Sequence, residues 1–535
     1  MTLWDVRSRA EVINGHGGGW CHTHTRTSAA VRSRHRRLDQ RHSGRGRRWR
    51  WASCLLAGLL SSWFLGVPTS AGASPATPSG NALLLSDLHF DPLADPHLVQ
   101  SLLAAPPAQW QAIFSRSSQT AYAHFPNDTN YPLLNSTLST AAGQKPFDFV
   151  IVSGDYLRHN FQSAFLRAGG SPDQFPAFAA NTALFVINAV QMAFAVPVYF
   201  ALGNDDSGCG DYRLTPDSAF LAVLADSIRV LARHPDATAT FRTAGFYALS
   251  HPTVPNQEIL ILNSVLWSPM FSSCEPERTD PGNAELEWLR EKLSQAKRLG
   301  HKVILVMHIP PGIDAYRSFH YHDGHRSSVV PFWREAYANS FITLMKDYGD
   351  VVEAALAGHT HMDDFRIVGT GSTAVAVRIT PAVSPVFGNN PSFSALEYSV
   401  STGAVSDIDT YWLNLSNGGA HPQWALEYRF STAYGYEAFT PANLEALAAR
   451  IHDDPSVRGI FAGYYAASAP SPLMSRAWRF YCCAENRLNP TDYKSCVFAS
   501  PTTSRESTSQ HTAAGVAARG GGLHPRRRII IKNEN

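Results

Sequence analysis

The stretch FDFVIVSGDYLRH, residues 147–159, decides the fold. Its first six residues form an apolar run that predicts a buried strand, and a polar cluster follows directly at the carboxyl end. Four other apolar runs in the chain end in the same way. The runs cover residues 82–85, 147–152, 196–202, 302–307 and 351–357, and the clusters begin at Ser86, Ser153, Gly203, His308 and Gly358.

Helix-like stretches separate these runs, for example at residues 179–195, 218–233 and 284–299. Strands that alternate with helices predict an α/β fold built on a largely parallel sheet. Ligands in such folds bind at the carboxyl ends of the strands, which is where all five polar clusters fall. We therefore expect the clusters to converge on one site.

Seven side chains in these clusters carry nitrogen or oxygen donors: Asp87, His89, Asp155, Asn204, His308, His359 and His361. Each alone is typical of a turn, a cap or an ordinary histidine. Together, such donors at five strand ends suit two divalent cations that share a site and activate a water for attack at phosphorus. Asp155 is the candidate for the carboxylate shared by both ions, because Gly154 lets the backbone approach closely.

Composition excludes several classes of protein. The 535 residues contain 45 Lys+Arg and 43 Asp+Glu, but the basic residues concentrate near the two ends, and the long middle is net acidic. That charge argues against a nucleic-acid-binding partner. A hydrophobic fraction of 44% excludes wholesale disorder. Collagen, coiled coil and a polytopic membrane protein are excluded because their repeats and long apolar stretches are absent.

An apolar run at residues 54–67 follows a cluster of arginines and precedes Ala71-Gly72-Ala73. This pattern predicts a secretory signal peptide cleaved near Ser74, and so a secreted or periplasmic protein. A transmembrane anchor is the alternative, but the run is shorter than the ~20 apolar residues that span a bilayer. Residues 1–46 are long for the charged N-terminal region of a signal peptide, and a misplaced start codon explains them at least as well as a function does.

Five cysteines follow the signal: Cys209, Cys274, Cys482, Cys483 and Cys496. Without a CxxC pair they do not predict a zinc finger, and in an exported protein they predict disulfides with one thiol left over. Cys209 and Cys274 lie in predicted loops that could meet near the metal site. Asn127, Asn135 and Asn414 each begin a glycosylation sequon, usable if the host has the machinery.

Five motifs occur in a fixed order: Asp87-x-His89, Gly154-Asp155, Gly203-Asn204-Asp205, His308 and Gly358-His359-x-His361. Together they resemble the calcineurin-like metallophosphoesterase superfamily. Within it the chain resembles acid sphingomyelinase and the acid sphingomyelinase-like phosphodiesterases. That likeness continues through residues 384–391, 410–415 and 421–435, so it spans roughly residues 81–500. It implies an αββα sandwich of mixed sheets with a small C-terminal helical subdomain.

The resemblance also implies how the donors divide. One metal ion would take Asp87, His89, Asp155 and His361, and the other would take Asp155, Asn204, His308 and His359. Zinc is the usual ion in acid sphingomyelinases, and the sequence leaves manganese or iron open. His159 matches the family position thought to protonate the leaving oxygen; a loop histidine is the alternative. Cys483 and Cys496 match a family disulfide, which leaves Cys482 as the odd thiol.

Two departures from the family bear on substrate choice. Asp205 stands where the sphingomyelinases usually have a histidine, which makes it a second candidate catalytic residue. Its carboxylate would repel an anionic phosphate unless it is protonated or paired, for example with Arg158. No saposin-like module precedes Asp87, so the resemblance favours soluble phosphoesters, including nucleotides, with lipid hydrolysis as the alternative.

The expected organisation is an N-terminal extension and signal peptide (residues 1–73), a linker (74–80), a catalytic domain (81–420), a C-terminal subdomain (421–500) and a disordered tail (501–535). Helices are predicted at residues 441–465 and 471–481. The aromatic and histidine-rich loop at residues 316–325 could line the substrate cleft or simply be solvated. Its histidines, His320, His322 and His325, are therefore left out of the metal set.

The sequence thus predicts a secreted, metal-dependent phosphodiesterase that acts on a small phosphoester or a phospholipid headgroup, with no stable transmembrane anchor. A polyphosphate or nucleotide phosphohydrolase or a phosphomonoesterase of the same fold is the alternative among enzymes. A fold kept only as a binding module is the alternative outside enzymes. The presence of all seven predicted ligands argues against that last alternative.

Overall fold

The computed structural model describes residues 78–275, 280–321, 328–415 and 422–499. The predicted signal peptide, most of the linker and the predicted disordered tail lie outside the described residues. So do His322 and His325.

Two six-stranded sheets form the centre of the described chain. The strands are β1 Ser79–Leu85, β2 Phe149–Val152, β3 Val198–Phe200, β4 Tyr247–Ser250, β5 Gln257–Ile261, β6 Lys302–Val306, β7 Val352–Ala357, β8 Asp364–Val368, β9 Val375–Ile379, β10 Ser392–Ser399, β11 Val405–Leu413 and β12 Trp424–Arg429. The order is β12-β11-β10-β1-β2-β3 in the first sheet and β4-β5-β6-β7-β9-β8 in the second.

Both sheets mix parallel and antiparallel pairs. β1, β2 and β3 are parallel, and β10, β11 and β12 extend that sheet by antiparallel pairing. In the second sheet β5, β6, β7 and β9 are parallel, while β4 and β8 close the two edges antiparallel. The predicted sandwich of mixed sheets is confirmed. The five strands predicted from the apolar runs all exist, and they divide between the two sheets.

The α-helices of the described residues connect and flank these strands. They are α1 Val99–Ala104, α2 Trp110–Phe114, α3 Tyr131–Ala142, α4 Phe161–Arg167, α5 Phe175–Ala193, α6 Ala219–Ser227, α7 Pro235–Ala244, α8 Pro281–Leu299, α9 Ala315–His320, α10 Glu335–Tyr348, α11 Phe430–Tyr434, α12 Pro441–Asp453, α13 Pro455–Tyr465, α14 Trp478–Ala484 and α15 Pro490–Val497.

Three predicted helices were wrong in extent. The helix predicted at 218–233 ends at Ser227, because the side chain of Gln191 accepts the backbone N–H of Arg229 at 2.7 Å and turns the chain. The helix predicted at 441–465 is two helices, since Pro455 has no N–H to continue α12 and instead starts α13. The stretch at 471–481 was predicted as one helix. It contains a 3-10 turn at Pro472–Met474, and α14 begins only at Trp478.

The stretch Pro172–Ala193, which contains α5, is long and apolar enough to cross a membrane. In the apolar 18-residue window of this stretch, 56% of the residues are buried inside the fold. Phe178 and Phe185 of this helix pack on the ring of Trp110. Packing in the core therefore accounts for its apolar composition.

The strand register brings the polar clusters together. Leu85 pairs with Val152, and Val152 pairs with Phe200, so the residues after β1, β2 and β3 leave the first sheet side by side. Across the sandwich, the N–H of Ser384 donates to the carbonyl of Asp87 at 3.1 Å. The carboxyl ends of strands from both sheets therefore meet at one edge.

Candidate active site

The seven predicted donors lie together at this edge, and we call them the donor cluster: Asp87, His89, Asp155, Asn204, His308, His359 and His361. Five of them are almost completely buried. The exposed fraction is 0% for Asp87, His89 and His308, 1% for His361 and 2% for Asp155. Burying this many ionisable groups together is costly without a compensating charge. Their convergence is the main observation on the site.

One half of the donor cluster surrounds His89. Its Nδ1 donates to the carbonyl of Leu157 at 2.9 Å, so its Nε2 presents a lone pair to the site. That Nε2 lies 3.1 Å from His361 Nε2 and 3.4 Å from Asp155 Oδ2. His361 Nε2 is also 3.5 Å from Asp87 Oδ1. These four side chains are those predicted for the first metal ion.

The other half surrounds His308. Its Nδ1 donates to the carbonyl of Ser153 at 2.7 Å, which again leaves Nε2 for the site. This Nε2 lies 3.0 Å from Asp155 Oδ2 and 3.2 Å from Asn204 Oδ1. His359 offers a ring nitrogen within 4.8 Å of the Asp155 and His308 atoms. Asp155 Oδ2 therefore faces both halves, as expected of a shared ligand.

The backbone at the donor cluster is strained. Five of its residues have positive φ angles, which side chains with a Cβ seldom adopt: Asp87 at 49°, His89 at 38°, Asp155 at 55°, His359 at 74° and His361 at 64°. Each such residue costs on the order of 1 kcal/mol. The strained residues lie where the donors converge, and backbone strain that a fold retains in this way is typical of a functional site.

Three glycines allow the polar clusters to approach so closely. A Cβ at Gly203 would lie 2.1 Å from Asp155 Oδ1, and one at Gly358 would lie 2.0 Å from Ser86 Oγ. Gly154 has a φ of 102°, and a Cβ there would lie 2.8 Å from His308 Nδ1. A larger residue at any of these positions would push the donors apart.

Charges in the donor cluster perturb one another strongly. Burial alone would lower the pKa of His308, but the carboxylate of Asp155 raises this pKa to about 9. Burial, with the positive charge of His308, lowers the pKa of His359 to about 3. Burial alone would raise the pKa of Asp155, but His308 and His89 hold it well below its ordinary value. The carboxylates thus stay ionised and attract positive charge.

The donor set fits divalent cations. Two carboxylates, an amide oxygen and four imidazoles are ligand types that zinc, manganese and iron share. Within the described chain, His361 Nδ1 is buried without a hydrogen-bond partner, while the Nε2 atoms of His361 and His89 approach within 3.1 Å. Facing ring nitrogens of this kind could both bind one cation.

His159 lies against the donor cluster. Its ring stacks on that of His89 with the centroids 3.8 Å apart. Its Nδ1 lies 2.9 Å from Asp128 Oδ1, and its backbone N–H donates to Asp128 Oδ2 at 3.0 Å. The side chain of Asp128 is 1% exposed, and that of His159 is 24% exposed. His159 is therefore held from behind by a buried carboxylate and reaches solvent on the other side.

Comparison with known families decides the identity. Residues 81–363 match the family model of calcineurin-like phosphoesterases, and residues 369–500 match that of the acid sphingomyelin phosphodiesterase C-terminal region. The chain belongs to the calcineurin-like phosphoesterase family. It is a metallophosphoesterase of the acid sphingomyelinase-like group and a hydrolase of phosphoric esters. This family uses a dinuclear metal centre, in agreement with the paired halves of the donor cluster.

Named relatives fall in the same group. The rat protein named cyclic GMP-AMP phosphodiesterase SMPDL3A is 26% identical over 83% of this chain and 97% of its own length. Human acid sphingomyelinase-like phosphodiesterase 3b is 26% identical over 83% of this chain and 95% of its own. Human sphingomyelin phosphodiesterase is 28% identical over 74% of this chain and 62% of its own.

Asp205 of this phosphoesterase lies within the wall of the site. It is 6% exposed, its N–H donates to Asp155 Oδ1 at 2.9 Å, and its Oδ2 lies 3.8 Å from His89 Nδ1. Burial, with the neighbouring charge of Asp155, raises the pKa of Asp205 well above its ordinary value. The suggested pairing with Arg158 is wrong: that guanidinium lies 3.1 Å from Asp91 and 3.9 Å from Asp128.

Two supporting acids of the phosphoesterase were missed from the sequence. The carboxylate of Asp206 accepts hydrogen bonds from the N–H groups of Asp155 and Gly203 at 2.8 Å and of Tyr156 at 2.7 Å. These bonds fix the Gly154-Asp155 and Gly203-Asn204-Asp205 motifs relative to each other. Asp128 lies in a loop with no motif, and only its position within a sequon drew attention to that segment. An acid that acts through hydrogen bonds to a distant loop leaves no local sequence pattern.

The cysteine predictions are confirmed. Disulfides join Cys209 to Cys274 and Cys483 to Cys496, and Cys482 is a free, buried thiol in the described chain. The first disulfide closes the loop that carries Tyr212, whose hydroxyl lies 3.4 Å from His359 Nε2. The described part of the histidine-rich loop forms α9, where His320 is exposed and bonds to the carbonyl of Tyr316.

Proposed function

We propose that this phosphoesterase is an exported phosphodiesterase that uses two divalent cations and His159 to cleave small, soluble phosphodiesters. The observation that carries this proposal is the stacking of His159 on His89. This stacking would place the proposed proton donor beside the proposed cation ligands, within one site. Hydrolysis of a phosphodiester with an alkoxide leaving group requires both, since the phosphorus must be activated and the leaving oxygen protonated.

The two halves of the donor cluster would hold the cations. Asp87, His89, Asp155 and His361 would hold one, and Asp155, Asn204, His308 and His359 would hold the other. When bound, the pair supplies Lewis acidity at the phosphoryl oxygens and lowers the pKa of a water molecule. We propose zinc, because four imidazoles among the donors suit it.

His159 would donate the proton to the leaving oxygen as the P–O bond breaks. Because its Nδ1 faces Asp128, the nitrogen that reaches the substrate is Nε2. Asp128 in turn is held by the hydroxyl of Ser384 at 3.0 Å, so the ring orientation is fixed from two sides. Burial alone would raise the pKa of Asp128, but the hydrogen bond from His159 lowers it to about 2. Asp128 therefore stays ionised and accepts the hydrogen bond that orients the His159 ring.

Small soluble diesters are the substrates that the comparisons favour. The relative named as a cyclic GMP-AMP phosphodiesterase matches this chain over 97% of its length, whereas human sphingomyelin phosphodiesterase matches over 62%. The match thus extends over nearly the whole length of the first relative and over only part of the second. Sphingomyelin remains in the assay panel as the competing substrate.

Export is supported by the two disulfides, because such bonds persist in oxidising compartments. The apolar run at residues 54–67 would direct it, with cleavage near Ser74. Asn127 and Asn135 are exposed, so both sequons are accessible to a glycosylating host. N-terminal sequencing of the mature protein tests the cleavage site directly.

The activity is tested with a panel of bis-p-nitrophenyl phosphate, p-nitrophenyl phosphate, polyphosphate, ATP and sphingomyelin, after reconstitution with zinc or manganese. We expect the diester to be hydrolysed faster than the monoester, with activity lost on chelation and restored by metal. Faster hydrolysis of p-nitrophenyl phosphate or polyphosphate than of any diester would contradict the proposal.

A further inference from the structure

The loop that follows β3 folds back onto the donor cluster. Residues 207–214, which we call the disulfide loop, begin three residues after Asn204, and residues 208–213 are half-buried or exposed. Loops with so little buried surface usually open easily. Here the N–H of Tyr212 donates to the carbonyl of Asn204 at 2.8 Å, so the loop returns to the ligand residue that precedes it.

The outer side of the disulfide loop is joined to a segment distant in sequence. The disulfide links Cys209 to Cys274, which lies 65 residues further along the chain. Beside it, the N–H of Ser272 donates to the carbonyl of Tyr212 at 3.0 Å, and the N–H of Leu214 donates to the carbonyl of Ser272 at 3.3 Å. The disulfide and these two backbone bonds therefore hold the loop in one position.

The inner side of the disulfide loop presents a carboxylate to Asn204. Asp211 Oδ1 accepts a hydrogen bond from Asn204 Nδ2 at 2.9 Å. At the other end of this amide, Asn204 Oδ1 lies 3.2 Å from His308 Nε2, inside the donor cluster. Asp205 Oδ2 also lies near Asn204 Nδ2, but at the longer distance of 3.4 Å. Asp211 thus makes the shorter of the two bonds to this nitrogen.

The orientation of the Asn204 amide decides what this side chain can bind. The two ends of an amide have nearly the same shape, but the oxygen accepts hydrogen bonds and the nitrogen donates them. Only the oxygen is a ligand for a cation. An ionised carboxylate is an acceptor alone, so Asp211 attracts Nδ2 and leaves Oδ1 facing the donor cluster. Asn204 is 7% exposed, which limits the ability of water to replace this acceptor.

We propose that Asp211 is a positioning residue that sets the amide orientation of Asn204, and that the Cys209–Cys274 disulfide holds Asp211 in place for this purpose. The inference rests on the proposed function, because Asn204 would be a ligand of the cation in the His308 half of the donor cluster. Affinity for that cation therefore depends on the disulfide loop, and affinity for the cation in the His89 half does not.

The contacts of the disulfide loop agree with this division. Asp211 contacts Asn204, and the hydroxyl of Tyr212 lies 3.4 Å from His359 Nε2. Asn204 and His359 both belong to the His308 half. An ordinary solvated acid at the tip of a loop is the simpler interpretation of Asp211. Against it, a backbone bond and a side-chain bond from neighbouring residues converge on the same asparagine.

The first test measures zinc binding without turnover, by calorimetric titration of the metal-free protein. Loss of a hydrogen-bond partner of a metal ligand typically weakens metal binding by roughly 10- to 100-fold. We expect two binding events in the wild type, and Asp211→Ala should weaken one of them by this factor and leave the other unchanged. Asp211→Asn should retain most of the affinity, because its amide oxygen can accept the same bond. Asp173→Ala is the control, since Asp173 is an exposed acid in the 3-10 turn Pro172–Gln174.

The second test asks whether Asp211 acts through Asn204. Asn204→Ala should weaken one zinc-binding event, because it removes a ligand. Adding Asp211→Ala to Asn204→Ala should then cause little further loss, since the group that Asp211 orients is already absent. A role of Asp211 in the stability of the loop alone would instead give losses that multiply.

The third test removes the disulfide. Cys209→Ser combined with Cys274→Ser should weaken the same zinc-binding event as Asp211→Ala, with circular dichroism to check that the protein is folded. Cys483→Ser combined with Cys496→Ser is the matched control, because that disulfide joins α14 to α15 and should not affect either affinity. If the first pair does not fold, the Asp211 variants decide, since they keep both disulfides.

Three results would overturn the inference: unchanged zinc affinities in Asp211→Ala, a loss that Asp211→Asn does not rescue, and losses that multiply with Asn204→Ala. Two zinc ions and diester hydrolysis in the wild type, together with any of these results, would leave the proposed function intact. Absence of diester hydrolysis, with one zinc affinity still dependent on Asp211 through Asn204, would refute the proposed function and support the inference.

Discussion

Two buried polar clusters of this phosphoesterase can be compared directly. The donor cluster contains carboxylates and imidazoles on strained backbone. A second cluster, the sheet-joining cluster, lies between β8 and β9 on one side and β10 to β12 on the other. It consists of Asp363, Arg378, Ser394, Thr410 and Tyr428, which are all buried. Both clusters remove charge from water, but they compensate for it differently.

In the sheet-joining cluster every buried charge is matched by protein. Arg378 forms a two-pronged pair with Asp363, and Tyr428 and Thr410 donate to the same carboxylate at 2.8 and 3.2 Å. None of these five residues has a positive φ angle. In the donor cluster no lysine or arginine pairs with Asp87 or Asp155 among the described ion pairs, and five residues are strained. Buried acids that have histidines but no lysine or arginine as partners among the described ion pairs distinguish the donor cluster from the sheet-joining cluster.

The largest effect that tests this comparison is expected from Asp155→Ala. Because Asp155 Oδ2 faces both halves of the donor cluster, we expect both metal ions and all measurable activity to be lost. Elemental analysis and the diester assay check this, with His320→Ala as the control, since His320 is exposed on α9. An intact metal pair in Asp155→Ala would remove the basis for distinguishing the clusters.

His159→Ala tests the proton donor rather than the metal site. General acids contribute ~10²–10⁴-fold, so kcat should fall by that range for a diester with an alkoxide leaving group. For p-nitrophenyl esters the loss should be much smaller, because p-nitrophenolate leaves without protonation. Metal content should stay unchanged. Equal losses on the two kinds of ester would show that His159 is not the acid.

Asp363→Ala should affect stability instead of chemistry. Removing one partner of a buried, hydrogen-bonded pair leaves Arg378 uncompensated, which costs about 3–5 kcal/mol. Denaturant unfolding measures the loss, and the metal content of the folded fraction should be retained. Asp350→Ala is the control: the Asp350–Lys297 pair is exposed, at 43% and 45%, and is worth about 0–1 kcal/mol. Similar losses in both variants would contradict the assignment.

Glu285 gives the smallest expected effect. Burial raises its pKa from 4.5 to about 8, and its Oε1 accepts the N–H of Asn263 at 2.6 Å. At pH values between 4.5 and 8, this acid is protonated in the folded state and ionised in the unfolded state. The free energy of unfolding should therefore fall as the pH rises from 4.5 towards 8. Between pH 5 and pH 7 the fall is about 2 kcal/mol.

Glu285→Gln should remove this slope while leaving activity unchanged. Unfolding curves at the two pH values measure this slope. Glu258→Gln is the control, because Glu258 on β5 is only half-buried. A slope that persists in Glu285→Gln would mean that other groups set the pH dependence of stability.

The metal-ligand prediction came from the sequence because its pattern is local. Each donor follows an apolar run directly, and parallel strands bring their carboxyl ends together whatever their order. The cysteine pairs and the mixed sheets were also predicted correctly. The helix at 218–233 was not, since its end depends on a hydrogen bond that the N–H of Arg229 donates to the side chain of Gln191 in another helix.

Sequence alone therefore predicted which side chains converge in the donor cluster, because strand ends, glycines and ordered motifs are properties of short segments. Only the tertiary structure decided how they are held. Asp128 reaches His159 across 31 residues of chain, and Ser384 reaches Asp128 across 256. Such contacts form between side chains far apart in sequence, where packing rather than periodicity sets the distance.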